Sequence, residues 1–434
     1  MRYNNFVQTE LGLLPEDWEV RTLGDELYIK GRIGWKGLKK DEYLVESPYR
    51  IINGSNIINN KIDWNNCGYI SEERYNESPE IMLQKNDIVI TKDGTIGKVA
   101  KINSLEKPTS VASGLFIIRN ISKIIDTSYL FYYFNSHYFK GLVSSRTEGS
   151  VIPHLYQRDF VSMKIPLPRL EEQKLIATIL SSLDEKIEIN NEINKKLEEM
   201  AQAIFKHWFV DFEFPNENGE PYKSSGGEMV ESELGMIPKG WKVTTLDNIV
   251  NISTKSINPQ NYAERVFEHY SIPALDNNKT PEIQMGKEIK SNKYLIDDNV
   301  ILISKLNPNT KRIWKPIPQY KFAICSTEFI VYVPKENNIF YYVYEFINSD
   351  YFSEMLVSHA TGSTGSRQRV KPKDTLNFKI YLPPVELMVK FSKAVKPMHD
   401  SISLKNLEIQ KLVLTRDTLL PKLMSGEIRV PVEE

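Results

Sequence analysis

At 434 residues and 41% hydrophobic content, the chain is too long for one ordinary core and apolar enough to build two or three domains. Its formal net charge of −1 excludes a free-standing, strongly basic nucleic-acid binder, so any such contact must be local or shared with partners. No apolar run reaches the roughly 20 residues of a membrane span, and MRYNNFVQTELG carries no apolar signal core; the expectation is a soluble cytoplasmic protein with no membrane partner. Cys67 and Cys325 fall in different halves and read as reduced core thiols.

The first recognisable segment is also the first half of a repeat. Glu10-Leu-Gly-Leu-Leu-Pro15-Glu-Asp-Trp18-Glu-Val20-Arg-Thr22-Leu23 returns 223 residues later as Glu233-Leu-Gly-Met-Ile-Pro238-Lys-Gly-Trp241-Lys-Val243-Thr-Thr245-Leu246, with eight of fourteen positions identical. That spacing is far beyond a solenoid unit, so one domain-sized module is present twice. Further along, Asp87 to Thr91 and Leu115 to Ile118 are short β-branched or aromatic runs bounded by turn residues, which predicts strands. Val300 to Ile303 and Phe329 to Val333 are their copies. Tyr129 to Phe139 and Phe340 to Phe352 read as aromatic-rich helices. Lys164-Ile-Pro-Leu-Pro168 is matched by Lys379-Ile-Tyr-Leu-Pro383, and the offset stays between 213 and 223. Each module is therefore an α+β globule of roughly 150 residues.

A long helix follows each module. Apolar residues recur at Ile176, Leu180, Leu183, Ile187 and Leu197, with Asn190 and Asn194 in the same stripe. The second copy runs Phe391, Val395, Met398, Ile402, Ile409 and Leu412. Such a stripe needs an apolar partner, and the other copy is the simplest one. About 30 residues give a rod of roughly 45 Å. Asparagine at a seam costs stability but can fix register. The expected division is a first module over 1–168, a spacer helix over 169–214, a linker over 215–232, a second module over 233–383, a second spacer helix over 384–424 and a tail over 425–434. The tail's Ser425-Gly-Glu-Ile-Arg-Val430 echoes Ser225-Gly-Gly-Glu-Met-Val230 ahead of the second module. The repeat is thus circular, which predicts pseudo-two-fold symmetry with the two termini close together.

Catalytic patterns are missing from the sequence. The six histidines form no His-x-His or His-Glu-x-x-His pattern, which leaves no metal site to predict. Gly362-Ser-Thr-Gly-Ser-Arg367 lacks the ending of a phosphate-binding loop. Asp184-Glu-Lys186 has a nuclease-like spacing but reads as a solvated charge pair on a helix. Leu306-Asn-Pro-Asn309 is not the signature of an amino-methyltransferase. A nuclease or methyltransferase is disfavoured, and a scaffold or a reader remains.

Basic and polar groups gather at matching places in the two copies. In the second, Lys305, Asn307, Asn309, Lys311 and Arg312 lie in one stretch, and Ser363, Thr364, Ser366, Arg367, Gln368 and Arg369 in another, neither with an acid. In the first, the corresponding groups are Lys92, Gly94, Thr95 and Lys98, then Arg146, Ser150, His154, Gln157 and Arg158. Glycine lets a backbone approach closely, Arg, Gln and Asn offer paired contacts to base edges, and Lys, Ser and Thr suit phosphates. The plain alternative is that these are solvated loops. Residues 170 to 214 hold ten acids and five lysines, so the helix suits docking better than DNA tracking.

Four segments carry a family resemblance: Glu233-Leu-Gly-Met-Ile-Pro-Lys-Gly-Trp241, Phe205-Lys-His-Trp-Phe-Val-Asp-Phe212, Leu167-Pro-Arg-Leu-Glu-Glu-Gln173 and Leu420-Pro-Lys-Leu-Met-Ser-Gly-Glu427. Together with Asp87 to Gly97, they resemble the specificity subunits of type I restriction–modification systems, over essentially the whole chain. The resemblance implies two target recognition domains separated by two long antiparallel helices, a coiled coil. It implies a non-catalytic subunit whose domains each read half of a bipartite, asymmetric double-stranded DNA site. It implies docking of two modification (methyltransferase) subunits that use S-adenosylmethionine, joined by restriction (translocase and nuclease) subunits, in defence against foreign DNA. Half-sites about 34 to 36 Å apart lie on one face of a duplex, within reach of such a rod. The second copy departs from the first by carrying Leu306-Asn-Pro-Asn-Thr310 where the first has Gly94-Thr-Ile-Gly97, so the two should read different half-sites. A pseudo-symmetric protein-interaction scaffold without specific DNA binding is the other reading.

Overall fold

The computed structural model describes residues 5–32, 37–147, 154–362 and 368–432, without the side chains of residues 146, 147 and 278. Contacts divide the chain into one unit of residues 1–187 with 411–434 and another of residues 188–410. The division falls within both long helices, so each unit comprises one globular module and a part of each helix.

In the first unit, four antiparallel strands stand in the order Val99–Lys101, Ile88–Thr91, Leu115–Asn120, Leu27–Gly31. In the second, Ile313–Trp314, Ile301–Ser304, Phe329–Pro334 and Val250–Ser253 take the same order and sense. The central strands are unbroken apolar runs because they face a core on both sides. Ile88, Ile90, Phe116 and Ile118 point into one cluster, and Val89, Leu115 and Ile117 into another. The second unit repeats the alternation: Ile301, Ile303, Ile330 and Tyr332 on one side, Leu302, Phe329 and Val331 on the other.

A second sheet packs beyond each. In the first unit Thr109–Val111 pairs parallel with Tyr49–Ile52, which pairs antiparallel with Gly68–Ile70. In the second unit Ala323–Ser326, Val266–Tyr270 and Glu282–Met285 repeat that pattern. In the second unit two further strands, Lys293–Leu295 and Ser256–Ile257, extend the sheet to five. The opening motif forms a hairpin, Phe6–Thr9 with Gly12–Pro15, followed by a pairing of Glu19–Thr22 with Lys164–Leu167. Its copy does the same: Met229–Ser232 with Gly235–Pro238, then Lys242–Thr245 with Lys379–Leu382. The end of the polar linker is therefore a strand, the counterpart of Phe6–Thr9.

Each predicted aromatic helix is two helices, Thr127–Asn135 with His137–Thr147, and Phe340–Ile347 with Asp350–Ser358. A serine makes the break. Ser349 is extended, and its hydroxyl accepts from the Phe352 N–H to start the second helix; Ser136 is extended at the matching place.

The long helices run Leu170–Phe209 and Val385–Met424, 40 residues each, about 60 Å rather than 45. Ile176 and Leu180 sit in the first unit's core with Leu423 and Met424. Phe391 and Val395 sit in the second unit's core with Ala201, Phe205 and Phe209. Ile402 and Ile409 are buried, while Leu183, Ile187, Leu197, Met398 and Leu412 are half-buried. In the first unit Asp184 meets Arg416 at 2.8 Å. In the second, the Asn190 amide donates to Glu408 at 2.9 Å and the Asn194 amide to Asn406 at 2.8 Å. Partner numbers fall as residue numbers rise, so in both units the helix segments pair antiparallel. None of the described helices is long and apolar enough to cross a membrane. Cys67 and Cys325 are buried free thiols in different units, and burial raises both above the usual range.

Candidate nucleic-acid interface

In the first unit the turn after Ile88–Thr91 is closed by Thr91. Its hydroxyl donates to the Thr95 carbonyl at 2.6 Å and accepts from the Lys98 N–H at 2.9 Å. Gly94 and Gly97 have φ of +67° and +82°, the left-handed region that favours glycine. Gly94 and Thr95 are left exposed at the tip. Lys92 and Lys98 point elsewhere. The Lys92 ammonium lies 4.8 Å from the centre of the Phe116 ring, and burial holds it below the usual lysine range against the pull of Asp93. Lys98 donates to the carbonyls of Ile57 at 3.2 Å and Gly54 at 3.4 Å, so it braces the loop.

The second predicted stretch meets this turn. The Leu155 N–H donates to the Lys92 carbonyl at 3.1 Å, and His154 hydrogen-bonds to Asp93. Gln157 and Arg158 are exposed on the helix Gln157–Val161, with the Arg158 guanidinium 4.8 Å from the Tyr156 ring. The Arg146 side chain and Ser150 lie outside the described residues.

The second unit builds the same juncture with different chemistry. The Val370 N–H donates to the Lys305 carbonyl at 3.0 Å, as Leu155 does to Lys92. Leu306 bridges to Arg369, and the Asn307 N–H donates to the Gln368 carbonyl at 2.9 Å. Asn307 takes φ of +48°, turning the chain so that Asn309 is exposed at the tip. The Asn309 amide donates to the Gln368 side-chain carbonyl at 3.0 Å. Ser363, Thr364, Ser366 and Arg367 lie outside the described residues.

Acids from elsewhere in the second unit reach this basic cluster. Arg312 makes a paired contact with Asp276 at 2.6 and 2.9 Å. Lys311 faces Asp350 at 3.7 Å and donates to the Asn348 carbonyl. Glu328 lies 3.5 Å from Arg369 and 3.9 Å from Lys305, whose ammonium donates to the Thr327 carbonyl at 2.7 Å. Arg369 remains the most open of these cations, with 59% of its side chain exposed. The local sequence hid Asp276 and Glu328, which are distant in the chain from the groups they meet. Asp93 and Tyr156 could have been found, since both stand inside the basic stretches. Among the described residues no group of three His, Cys, Asp or Glu side chains is placed to hold a metal ion.

Comparison with known proteins agrees with this duplicated architecture. The family model for the type I restriction modification DNA specificity domain matches residues 15–199 and again 238–414. The MjaIX specificity subunit of a type I restriction enzyme from Methanocaldococcus jannaschii is 27% identical, over 98% of this chain and 96% of that one. The HindI specificity subunit of Haemophilus influenzae is 23% identical over 95% of this chain and its own full length. The crystal structure of a type I restriction–modification S subunit from M. genitalium shares the fold, with a TM-score of 0.53 and 17% identity over 100% of this chain and 99% of that one.

Proposed function

From the premise that this chain belongs to the type I restriction–modification specificity family, with two DNA specificity domains, we propose that it reads a bipartite, asymmetric double-stranded DNA site, one half per module. The observation that carries this is the pair of junctures: one backbone link, Leu155 to Lys92 and Val370 to Lys305, under unlike tips. A common scaffold with different side chains at its edge suits two readers of different sequences. Gly94 and Thr95 allow close backbone approach in the first module, and Asn309, Gln368 and Arg369 offer side-chain contacts in the second.

In this reading the chain itself is not catalytic. It docks two methyltransferase subunits, which supply S-adenosylmethionine chemistry, and through them restriction subunits. Helix residues turned away from the seam support docking: Leu404 is 69% exposed, Met200 51% and Ile189 50%, all in the second unit. Apolar side chains left open on a helix suit partner helices. Activity on cellular and foreign DNA places the complex in the cytoplasm.

The test is methylome sequencing of cells carrying the methyltransferase with and without this chain. A bipartite motif that appears only with the chain is the expected result; no chain-dependent motif overturns the reading. A protein-interaction scaffold without DNA specificity is the second reading, favoured by the internal engagement of Lys98, Lys305 and Arg312. It predicts that second outcome.

A further inference from the structure

Gln368 is held unusually well for a half-exposed glutamine beside a loop tip. Its backbone carbonyl accepts from the Asn307 N–H at 2.9 Å, and its neighbour Arg369 bridges to Leu306 and to Thr361. Its side-chain carbonyl accepts from the Asn309 amide at 3.0 Å. A lone surface glutamine samples many rotamers and can present either end of its amide; this one is fixed at both backbone and side chain.

The hydrogen-bond inventory then decides what it can recognise. A glutamine amide has two donor hydrogens and two acceptor lone pairs. Asn309 uses one lone pair. Among the described residues nothing takes the other lone pair or either Nε2 hydrogen. One acceptor and one donor, side by side, match the N6 amino group and N7 of adenine in the major groove, and no other base offers that pair there. Exchanging the oxygen and nitrogen of both amides reverses the roles but leaves the same free donor and acceptor.

We propose that Gln368 reads an adenine in the half-site of the second module and that Asn309 is the positioning residue that orients it. The inference rests on the DNA-reading function proposed above. It does not extend to the first module, where the Asp93–His154 pair stands at the corresponding juncture. Carboxylate and imidazole there present a different code from an amide pair.

The experiment is methylome sequencing of cells carrying the complete complex with the parent chain, Gln368→Ala, Gln368→Glu or Asn309→Ala. Gln368→Ala should relax one A·T position in one half-site, with preference for adenine falling roughly ten- to hundredfold, and leave the other half-site unchanged. Gln368→Glu keeps the shape, loses the donor and should shift that position toward cytosine, whose N4 group donates. Asn309→Ala should weaken the same position and no other. A motif identical to the parent's in all three variants overturns the inference while the bipartite reading stands. So does relaxation at a position that is not A·T. Absence of any chain-dependent motif with the parent chain is instead the failure of the broader reading. Thermal melting of each variant separates misfolding from lost recognition, and Gln368→Glu still decides the matter if Gln368→Ala does not fold.

Discussion

The guanidinium of Arg429 holds the carboxylate of Asp17 through hydrogen bonds of 2.9 and 2.7 Å, joining residues 412 positions apart. The same guanidinium makes a second paired contact with Glu172, at 2.7 and 2.9 Å, at the start of the first long helix. The tail, the opening motif and the helix are thus tied by one side chain. A Cβ at Gly426 would stand 2.4 Å from Pro15, so the tail passes close against the same motif.

Arg429→Ala should destabilise the first unit by roughly 2–4 kcal/mol, because it leaves the buried Glu172 carboxylate without its cation. Denaturant unfolding measures this. The Arg429 hydrogen bonds hold Asp17 below the usual carboxylate range, against the smaller opposing effect of burial. A lowered carboxyl contributes stability above its unfolded value, near 3.8, and loses it as pH falls through the lower folded value. Asp17→Asn should therefore flatten the acid limb of the stability curve below about pH 4.

The helix seam makes a different prediction. Asn194 is buried, gives its amide to Asn406 and leaves its own carbonyl oxygen without a hydrogen bond. Asn194→Ala should cost roughly 1–2 kcal/mol by stranding Asn406. The double variant Asn194→Leu with Asn406→Leu should be at least as stable as the parent, since apolar residues replace an imperfectly satisfied pair. Chemical denaturation of both variants provides the check; a double variant weaker than the single would refute the account.

Lys315 is packed against the second long helix. Its ammonium donates to the Ser403 hydroxyl at 3.1 Å and lies 5.3 Å from the centre of the Tyr341 ring. Burial pushes it down to about 8, against the upward pull of Asp400. A lysine lowered in the fold penalises the native state while it is charged. Stability of the second unit should therefore rise with pH from about 8 toward the unfolded value near 10.5. Lys315→Met should be more stable than the parent at pH 7, and the gap should close over that window. A gap independent of pH would sink the assignment.

Two candidate DNA contacts separate cleanly. Lys98 is committed to the Ile57 and Gly54 carbonyls, whereas Arg369 is largely open. In the assembled complex, Arg369→Ala should lower the log–log salt dependence of DNA affinity by about one. Lys98→Met should leave that slope unchanged and cost stability of roughly 1 kcal/mol. Affinity titrations at several salt concentrations distinguish the two.

Duplication was legible because both modules need the same buried strands: Ile88 to Thr91 and Ile301 to Ser304 must be apolar on two sides, and their β-branched runs repeat in register. The helix stripe was legible for the same reason, down to Asn190 and Asn194. The breaks at Ser136 and Ser349 were missed because aromatic residues run across them, while a single serine in extended conformation sets each boundary. The two loops were found as basic stretches, but their state was not, since Arg312 and Lys305 meet Asp276 and Glu328 only after folding. Local charge counts cannot see a partner 36 residues away, as Asp276 is from Arg312.

The division of the chain has a consequence for synthesis. The second unit is one uninterrupted stretch, residues 188–410, and can form as soon as that stretch leaves the ribosome. The first unit cannot, because Leu423 and Met424 belong to the core that Leu14, Trp18 and Ile176 begin. Its opening strands must wait through more than 200 residues of translation for their last packing partners. The domain made first should thus be the last to finish folding, and the Asp17–Arg429 clasp should form only at the end.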